Sequence, residues 1–241
     1  ILNKKELSVA SIAATEKLKN WDGTHDLEDV EPTIFYRFIY YFTKNTIKDE
    51  LGSEVFKAFE LNTNFKRNMN ALLRNDRSKW WDNINTKEVE TRSQILTKSM
   101  NEAVASLEET LGKSAENWTW NKVHTLTHKR PLGILPIIGK YFNVGPLPTN
   151  GGRETINNMD FPIDSSGSYN VAYGPALRRI IDMAALDHSQ SVLPTGQSGN
   201  IMSPHYNDQA EMFVQGGSRL ELMNKAEIEK SKTGKMIFSP K

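Results

Sequence analysis

Ser198, His205 and Asp208 combine the residue types of a nucleophile, a base and an orienting carboxylate. A serine hydroxyl becomes a nucleophile when a base lies within hydrogen-bond reach and a third group fixes the tautomer of that base. The local sequence is Gly196-Gln197-Ser198-Gly199, which lacks the G-x-S-x-G spacing of a hydrolase nucleophile turn. All three candidates also crowd within eleven residues. The spacing therefore disfavours a local catalytic triad.

A structural interpretation of the same residues is favoured. Ser203 is a good N-cap, and proline suits the first turn of a helix, so a helix is predicted from Pro204 or Tyr206 to Val214. His205 and Asp208 would then occupy its first turn, where an acidic side chain suits the helix dipole.

His124 and His128 are four residues apart and would share one face of a helix, where two imidazoles could bind a metal. Thr125, Thr127 and Pro131 weaken the helix prediction, and no third ligand is indicated. Two structural histidines with satisfied hydrogen bonds are the favoured interpretation, and no metal ligand is predicted.

Two basic segments could bind an anion. Arg178 and Arg179 point to opposite faces of a strand, so only one could enter a site. A salt bridge to Asp182 or to a neighbouring strand is the preferred interpretation. Gly151-Gly152-Arg153 has neither the spacing nor the lysine of a phosphate-binding loop.

Composition excludes several classes of function. With 30 basic and 29 acidic residues the net charge is +1, so no global field attracts nucleic acid or an anionic membrane. The absence of cysteine removes thiolate chemistry and disulfides. No apolar run approaches the roughly 20 residues of a membrane span. Because Ile1 replaces an initiating Met, we expect a processed or truncated chain.

Hydrophobic periodicity predicts helices in the first half of the chain. They cover residues 4–21, 31–51, 53–61, 64–73 and 89–111. Phe35, Phe38, Ile39 and Phe42 form an aromatic stripe that is more typical of a core than of a ligand-binding wall. Gly112 is placed as the C-terminal cap of the last helix.

The second half changes character to turns and short strands. Strands are predicted at residues 153–157, 169–173, 177–183 and 191–193, with a short one at 236–238. The expected division is a helical lobe at 1–115 and a loop-and-strand part at 116–241. The predicted fold class is α+β.

Several motifs resemble the C-terminal end of the penicillin acylase family. They are GPALRRIID at 174–182, VLPTGQSGNIMSPHYNDQ at 192–209 and the later Gly216. WNKVHTLTHKRPLG at 120–133, GGRETIN at 151–157 and Trp21-Asp22-Gly23 resemble the same family. One departure is His128-Lys129-Arg130-Pro131, where the family would place His directly before Pro.

The resemblance implies an N-terminal nucleophile hydrolase with an αββα core that cleaves N-acyl amide bonds, such as those of penicillins or acyl-homoserine lactones. In that family self-cleavage exposes an N-terminal serine whose own α-amino group is the base, and an asparagine helps to stabilise the oxyanion. Those residues and the calcium ligands precede the segment that this chain resembles, and Ile1 is not serine. No catalytic, cofactor-binding or metal residue is therefore assigned here.

The sequence thus predicts the C-terminal part of a penicillin acylase-like β subunit that is inactive alone. Residues 169–216 would brace an active site built elsewhere. The expected partners are the remainder of the precursor and a small acyl amide, without nucleic acid or membrane, and the fragment could self-associate. The resemblance implies a periplasmic or secreted location. The alternative is a binding or structural module that shares the scaffold without the chemistry.

Overall fold

The computed structural model describes residues 1–60 and 64–240 of the chain. The described backbone divides into two compact units. Unit 1 contains Ile1–Leu126 and Pro148–Gly174, and unit 2 contains Thr127–Leu147 and the chain from Pro175 onward. The predicted boundary at residue 115 falls inside unit 1, and the division into a helical lobe at 1–115 and a loop-and-strand part at 116–241 stays a prediction.

Unit 1 is built mainly from four helices. They are α1 (Val9–Asn20), α2 (Glu31–Glu60), α3 (Asn64–Arg74) and α4 (Arg92–Leu111). Short 3-10 turns follow at Lys79–Trp81, Ala115–Asn117 and Trp120–Lys122. Leu61 of the predicted helix 53–61 lies outside the described residues.

Side chains and glycines set the helix ends. The hydroxyl of Ser8 accepts from the N–H of Ser11, so α1 begins at Val9 rather than at residue 4. Thr91 and Gln94 form a capping box, which starts α4 three residues after the predicted start. Gly112 ends α4 with a φ of 94°, as predicted for a glycine cap.

Gly52 bends α2. Its φ of 70° and ψ of 167° are not helical, so the helix consists of two segments that meet at this residue. Glycine adopts a positive φ without the steric cost that other residues meet. The two helices predicted on either side of residue 52 are these two segments.

The core of unit 1 lies between α2 and α4, with α1 packed against both. The predicted aromatic stripe of α2 contributes to this core, since Phe42 is fully buried and Ile39 nearly so. On α4 the predicted face is buried at Leu96, Met100 and Leu107. Val89 instead lies before the cap and is 78% exposed.

Unit 2 contains shorter elements. Its helices are α5 (Gly139–Phe142), α6 (Ala210–Val214) and α7 (Lys225–Ser231). Its sheet has the order β3 (Arg178–Ile180), β4 (Gln190–Val192) and β5 (Arg219–Leu220), and the pairs β3–β4 and β4–β5 are antiparallel. Short 3-10 turns occur at Pro131–Ile134 and Leu186–His188.

A second sheet has two strands, β1 (Thr125–His128) and β2 (Val144–Pro148). The chain passes from one unit to the other within both strands. Helices and small antiparallel sheets in one chain confirm the predicted α+β class. No described helix is both long and apolar enough to span a bilayer.

Three predicted strands are wrong. Residues 153–157 form a tight turn in which Glu154 has a φ of 58°. Residues 169–173 are extended, yet Tyr173 forms only an isolated bridge, with Asp160. Residues 236–238 are exposed and carry no regular structure.

The final predicted helix also begins later than expected. The hydroxyl of Ser203 accepts from the N–H of His205, 3.2 Å away, but this contact closes a turn and α6 starts only at Ala210. Its end at Val214 is as predicted.

Candidate functional site

The segment Trp21-Asp22-Gly23 forms a tight turn after α1. Asp22 Oδ1 accepts from the N–H of Thr24 at 3.0 Å and from its hydroxyl at 2.7 Å. Gly23 has a φ of 92°, and the indole Nε1 of Trp21 donates to the Thr24 carbonyl at 2.8 Å. The turn directs the chain into the unit 1 core at His25.

His25 belongs to a group of buried rings that we call the aromatic cluster. Its members share contacts within unit 1 and come from distant parts of the chain. They are His25, Tyr36, Trp120, His124, Phe161 and Tyr169. Trp120 lies at the centre of the group, stacked on the rings of Tyr36, His124 and Tyr169 at 5.6, 4.5 and 5.5 Å between centroids.

Both ring nitrogens of His25 are engaged. Nδ1 lies 2.9 Å from the Gly23 carbonyl oxygen, so Nδ1 is the donor, and Nε2 accepts from the Tyr36 hydroxyl at 3.0 Å. Burial lowers the pKa of His25 and raises that of the Tyr36 phenol. His25 is therefore a neutral bridge between the turn and α2.

His124 is fully buried, and its Nδ1 lies 2.6 Å from the Tyr169 carbonyl oxygen. Burial lowers the pKa of the His124 imidazole to about 4. Its Nε2 atom is buried without a hydrogen-bond partner in the described structure. The predicted structural role fits the Nδ1 contact, while Nε2 departs from the expected pairing.

His128 ends β1 and belongs to unit 2, where its ring makes an edge contact with Phe213 at 6.4 Å. His124 lies just after the 3-10 turn Trp120–Lys122, and residues 125–128 form a strand, so the helical face that would pair the two histidines does not form. In the described ranges, no three metal-binding side chains converge.

The loop at Gly151-Gly152 packs against the aromatic cluster. The N–H of Gly151 donates to the His25 carbonyl at 3.0 Å, and its own carbonyl accepts from the Trp120 indole at 3.0 Å. A Cβ on Gly152 would lie 2.6 Å from the His25 ring, closer than atoms approach. These glycines therefore allow the loop to pack closely on His25. This structural role agrees with the prediction that Gly151-Gly152-Arg153 is not a phosphate-binding loop.

Arg153 is held inside unit 1 rather than presented to a ligand. Its Nη1 donates to the Phe161 carbonyl at 2.6 Å, and its Nε lies 3.1 Å from a carboxylate oxygen of Asp160. The guanidinium thus links the turn after Gly152 to the segment that carries Phe161.

Ser198, His205 and Asp208 are brought together in unit 2, but not as a triad. His205 Nδ1 lies 2.9 Å from Asp208 Oδ2, the geometry of a base and its orienter. The Ser198 Oγ instead accepts from the N–H of Asn200 at 3.1 Å, and only its backbone N–H contacts His205, at the carbonyl oxygen. The His205 side chain is 71% exposed. The nucleophile-to-base contact of a triad is not among the described hydrogen bonds.

Arg178 and Arg179 lie on opposite faces of β3, as predicted. The Arg178 Nη1 donates to the Phe213 carbonyl at 2.6 Å, and its guanidinium carbon lies 4.0 Å from the centre of the Phe213 ring. Arg179 pairs at 2.8 Å with Glu221, just after β5, rather than with Asp182. Both arginines therefore serve the packing of unit 2.

Sequence reasoning missed an apolar cavity between the second half of α2 and α3. It has a volume of about 520 Å³. The lining residues are Ile47, Leu51, Val55, Phe59, Asn68, Ala71, Leu72, Asn75 and Trp80. Its sequence signals are the four-residue spacing along α2 and the exposed Trp80 beside the buried Trp81.

A family model described as penicillin amidase matches residues 2–230. The chain belongs to the penicillin amidase family. The matched range includes the motifs at residues 120–133, 151–157 and 174–216.

Individual relatives carry more specific names. The chain is 28% identical over 214 residues to an acyl-homoserine lactone acylase, QuiP, of Pseudomonas syringae pv. syringae, covering 84% of this chain and 25% of the relative. It is 27% identical over 220 residues to the protein of the same name from Pseudomonas aeruginosa, covering 84% of this chain and 26% of the relative. The chain thus spans about a quarter of the length of these relatives.

The fold is similar to that of a solved structure, a thermostable penicillin G acylase from Alcaligenes faecalis. The TM-score is 0.51 at 16% sequence identity, and the alignment covers 98% of this chain and 44% of the other. This similarity establishes the α+β fold, and the relatives are acylases.

Proposed function

We propose that this chain forms the C-terminal scaffold of an N-acyl amide hydrolase. The observation that carries the proposal is the penicillin amidase match across residues 2–230, which includes almost the whole chain. The substrates would be acyl amides of the β-lactam side-chain or acyl-homoserine lactone type. Two relatives named as acyl-homoserine lactone acylases support the second type.

The reacting groups are proposed to come from another part of a longer polypeptide. An N-terminal serine released by self-cleavage would attack the amide, with its own α-amino group as base. Two observations support this division. His25 and His124 are buried against backbone carbonyl oxygens, and the Ser198 hydroxyl faces Asn200 rather than His205.

The remainder of the precursor is accordingly the proposed partner, and the 241-residue chain is expected to be inactive and prone to self-association when separated from it. Several large apolar side chains of unit 2 are exposed, among them Ile180, Met183 and Phe238. Exposed apolar surface of this kind is typical of an interface. A periplasmic or secreted location is part of the proposal and rests on the family alone.

The test uses the full-length gene product. Intact-mass measurement should reveal two chains, the second beginning with serine, and the processed protein should hydrolyse chromogenic acyl anilides. Replacing that serine by alanine should abolish both cleavage and turnover. A processed-length protein that carries the serine and shows no amide hydrolysis would support the non-catalytic binding module instead.

A further inference from the structure

We propose that residues 131–142 form a docking surface, through which this chain binds an apolar face on the remainder of its own polypeptide. The position of the docking surface rests on the structure of unit 2. The choice of partner rests on the proposed function, in which this chain is the scaffold of a longer protein.

The docking surface exposes many apolar side chains within a short segment. Six large apolar residues are between 40% and 83% exposed, and Ile134 and Ile137 are the two most exposed of them. The six are Leu132, Ile134, Leu135, Ile137, Ile138 and Tyr141. Single exposed apolar residues are ordinary, whereas a group of neighbouring ones is typical of an interaction site. The segment therefore has the side chains of an interface rather than those of a solvated loop.

The backbone of the docking surface is held in one conformation although its side chains are exposed. The N–H of Gly139 donates to the Leu135 carbonyl at 2.8 Å, and a Cβ on Gly139 would lie only 2.3 Å from the Gly133 carbonyl oxygen. The Asn143 amide accepts from the Arg130 N–H at 3.0 Å and donates to the Gly133 carbonyl at 3.2 Å. The two helical turns of the segment are thus folded on each other, and a preformed surface loses little conformational entropy on binding.

The charge of the segment disfavours a second copy of this chain as the partner. Residues 128–153 contain no Asp or Glu, whereas Lys129 and Lys140 are basic and exposed. Neither lysine forms an ion pair within the described part of the chain. A symmetric contact between two copies would bring like charges together, which costs binding free energy. A neutral or acidic apolar face avoids this repulsion.

The length of the relatives indicates where such a face comes from. This chain spans about a quarter of the two acyl-homoserine lactone acylases and aligns with 44% of the solved penicillin G acylase chain. The larger part of each relative therefore lies outside the aligned segment. A stable interface needs only roughly 20–30 residues on each side. A polypeptide of that length has ample chain to cover residues 131–142.

The test measures the accessibility of residue 137 in the full-length protein. Ile137→Cys places a thiol on the docking surface, and Val89→Cys is the matched control. Val89 is 78% exposed, against 83% for Ile137, and it lies alone between two glutamates. In the native protein the thiol at position 137 should react with a maleimide at least tenfold more slowly than the thiol at position 89, and urea should remove the difference. Equal rates in the native protein overturn the proposal.

Photo-crosslinking identifies what covers the surface. Benzoyl-phenylalanine incorporated at position 137 of the full-length protein should yield a cross-linked peptide from outside residues 1–241 of the same molecule. A product that joins two copies through residues 131–142, or protection that requires added phosphatidylglycerol vesicles, overturns the proposal.

Footprinting with hydroxyl radicals needs no substitution. Tyr141, which is 64% exposed in the structure of this chain, should be oxidised at least fivefold more slowly in the native full-length protein than in the unfolded protein. An equal rate overturns the proposal. Protection of residue 137 by the remainder in a protein without amide hydrolysis would refute the proposed function alone, whereas hydrolysis with an unprotected residue 137 would refute the docking surface alone.

Discussion

The Nδ1 atom of His124 lies 2.6 Å from the backbone carbonyl oxygen of Tyr169, inside the core of unit 1. Since a carbonyl oxygen only accepts, Nδ1 carries the proton in the neutral imidazole. The contact fastens the segment before β1 to the extended segment at residue 169. A second backbone contact, from the N–H of Tyr169 to the Val123 carbonyl at 2.7 Å, reinforces it.

The burial of His124 predicts a pH dependence of stability. Burial lowers the pKa of His124 from 6.5 to about 4, so the unfolded chain binds a proton that the folded chain excludes. The free energy of unfolding should be highest above pH 6.5 and fall as the pH drops toward 4, by about 3 kcal/mol at most. Urea unfolding at pH 7 and pH 4.5 measures the change.

His124→Gln should flatten this dependence relative to the wild type. His188→Gln, at an exposed site, is the control and should retain the wild-type dependence. Because His25 and His128 remain in both variants, the difference between the variants isolates His124. Equal slopes in both variants would contradict the prediction.

Arg37 is predicted to stabilise unit 1 through the fixed geometry of its guanidinium. The side chain is buried, its Nε and Nη2 donate to Ser106 Oγ at 3.0 and 2.6 Å, and its Nη1 donates to the Ser165 carbonyl at 3.2 Å. Lysine cannot reach these acceptors from one nitrogen, so Arg37→Lys should lower the free energy of unfolding by about 2–3 kcal/mol. Chemical denaturation measures it, with the exposed Arg77→Lys as control. A loss of stability no larger than that of Arg77→Lys would refute the role of the Arg37 guanidinium.

Arg178 and Arg179 offer a matched pair on opposite faces of β3. Arg178→Met removes the donor to the Phe213 carbonyl and the cation above its ring, and should cost about 1–3 kcal/mol of stability. Arg179→Met removes an exposed pair with Glu221 and should cost less than about 1 kcal/mol. Thermal unfolding of both variants measures the two losses of stability. A larger loss for Arg179→Met than for Arg178→Met would contradict the prediction and show that the pair with Glu221 contributes more.

Ser198→Ala should leave hydrolysis intact in the processed full-length protein. The hydroxyl accepts from the N–H of Asn200 and does not face the His205 ring, so kcat/KM toward an acyl anilide should stay within about twofold. A loss of roughly a thousandfold or more is what removal of a true nucleophile produces, and would restore the local triad. His205→Gln tests the base in the same way.

The sequence predicted those elements in which one periodic pattern and one end signal agree. The stripe through Leu96, Met100 and Leu107 predicted α4, because residues at helical spacing share the face that is buried. Gly112 predicted its end, because a glycine cap depends only on the local backbone. The turn at 153–157, where Glu154 has a positive φ, was missed because the contact of the preceding Gly152 with His25 joins residues that are far apart in the sequence. The sequence predicted a helix directly after Ser203, whereas α6 begins at Ala210. A serine side chain that accepts from the N–H two residues later can cap a helix or close a turn, and the sequence does not distinguish the two.

The candidate site was less predictable than the fold. The aromatic cluster unites residues 25, 36 and 120 to 169, and no spacing along the chain indicates that they meet around Trp120. The Trp21-Asp22-Gly23 turn was recognised as a motif, but its effect on His25 appears only when Gly23 and Tyr36 are seen to share the imidazole. The cavity depends on the relative placement of α2 and α3, which no local pattern encodes.

The direction of α2, the longest helix, changes at Gly52, a residue without a Cβ atom. A methyl group at this position would meet none of the described atoms within 4 Å, so the expected penalty of Gly52→Ala comes from the backbone torsion. Uninterrupted, thirty helical residues would form a rod roughly 45 Å long. The position therefore selects backbone handedness: an L-residue would resist the torsion that keeps Leu51 and Val55 on separate helical segments.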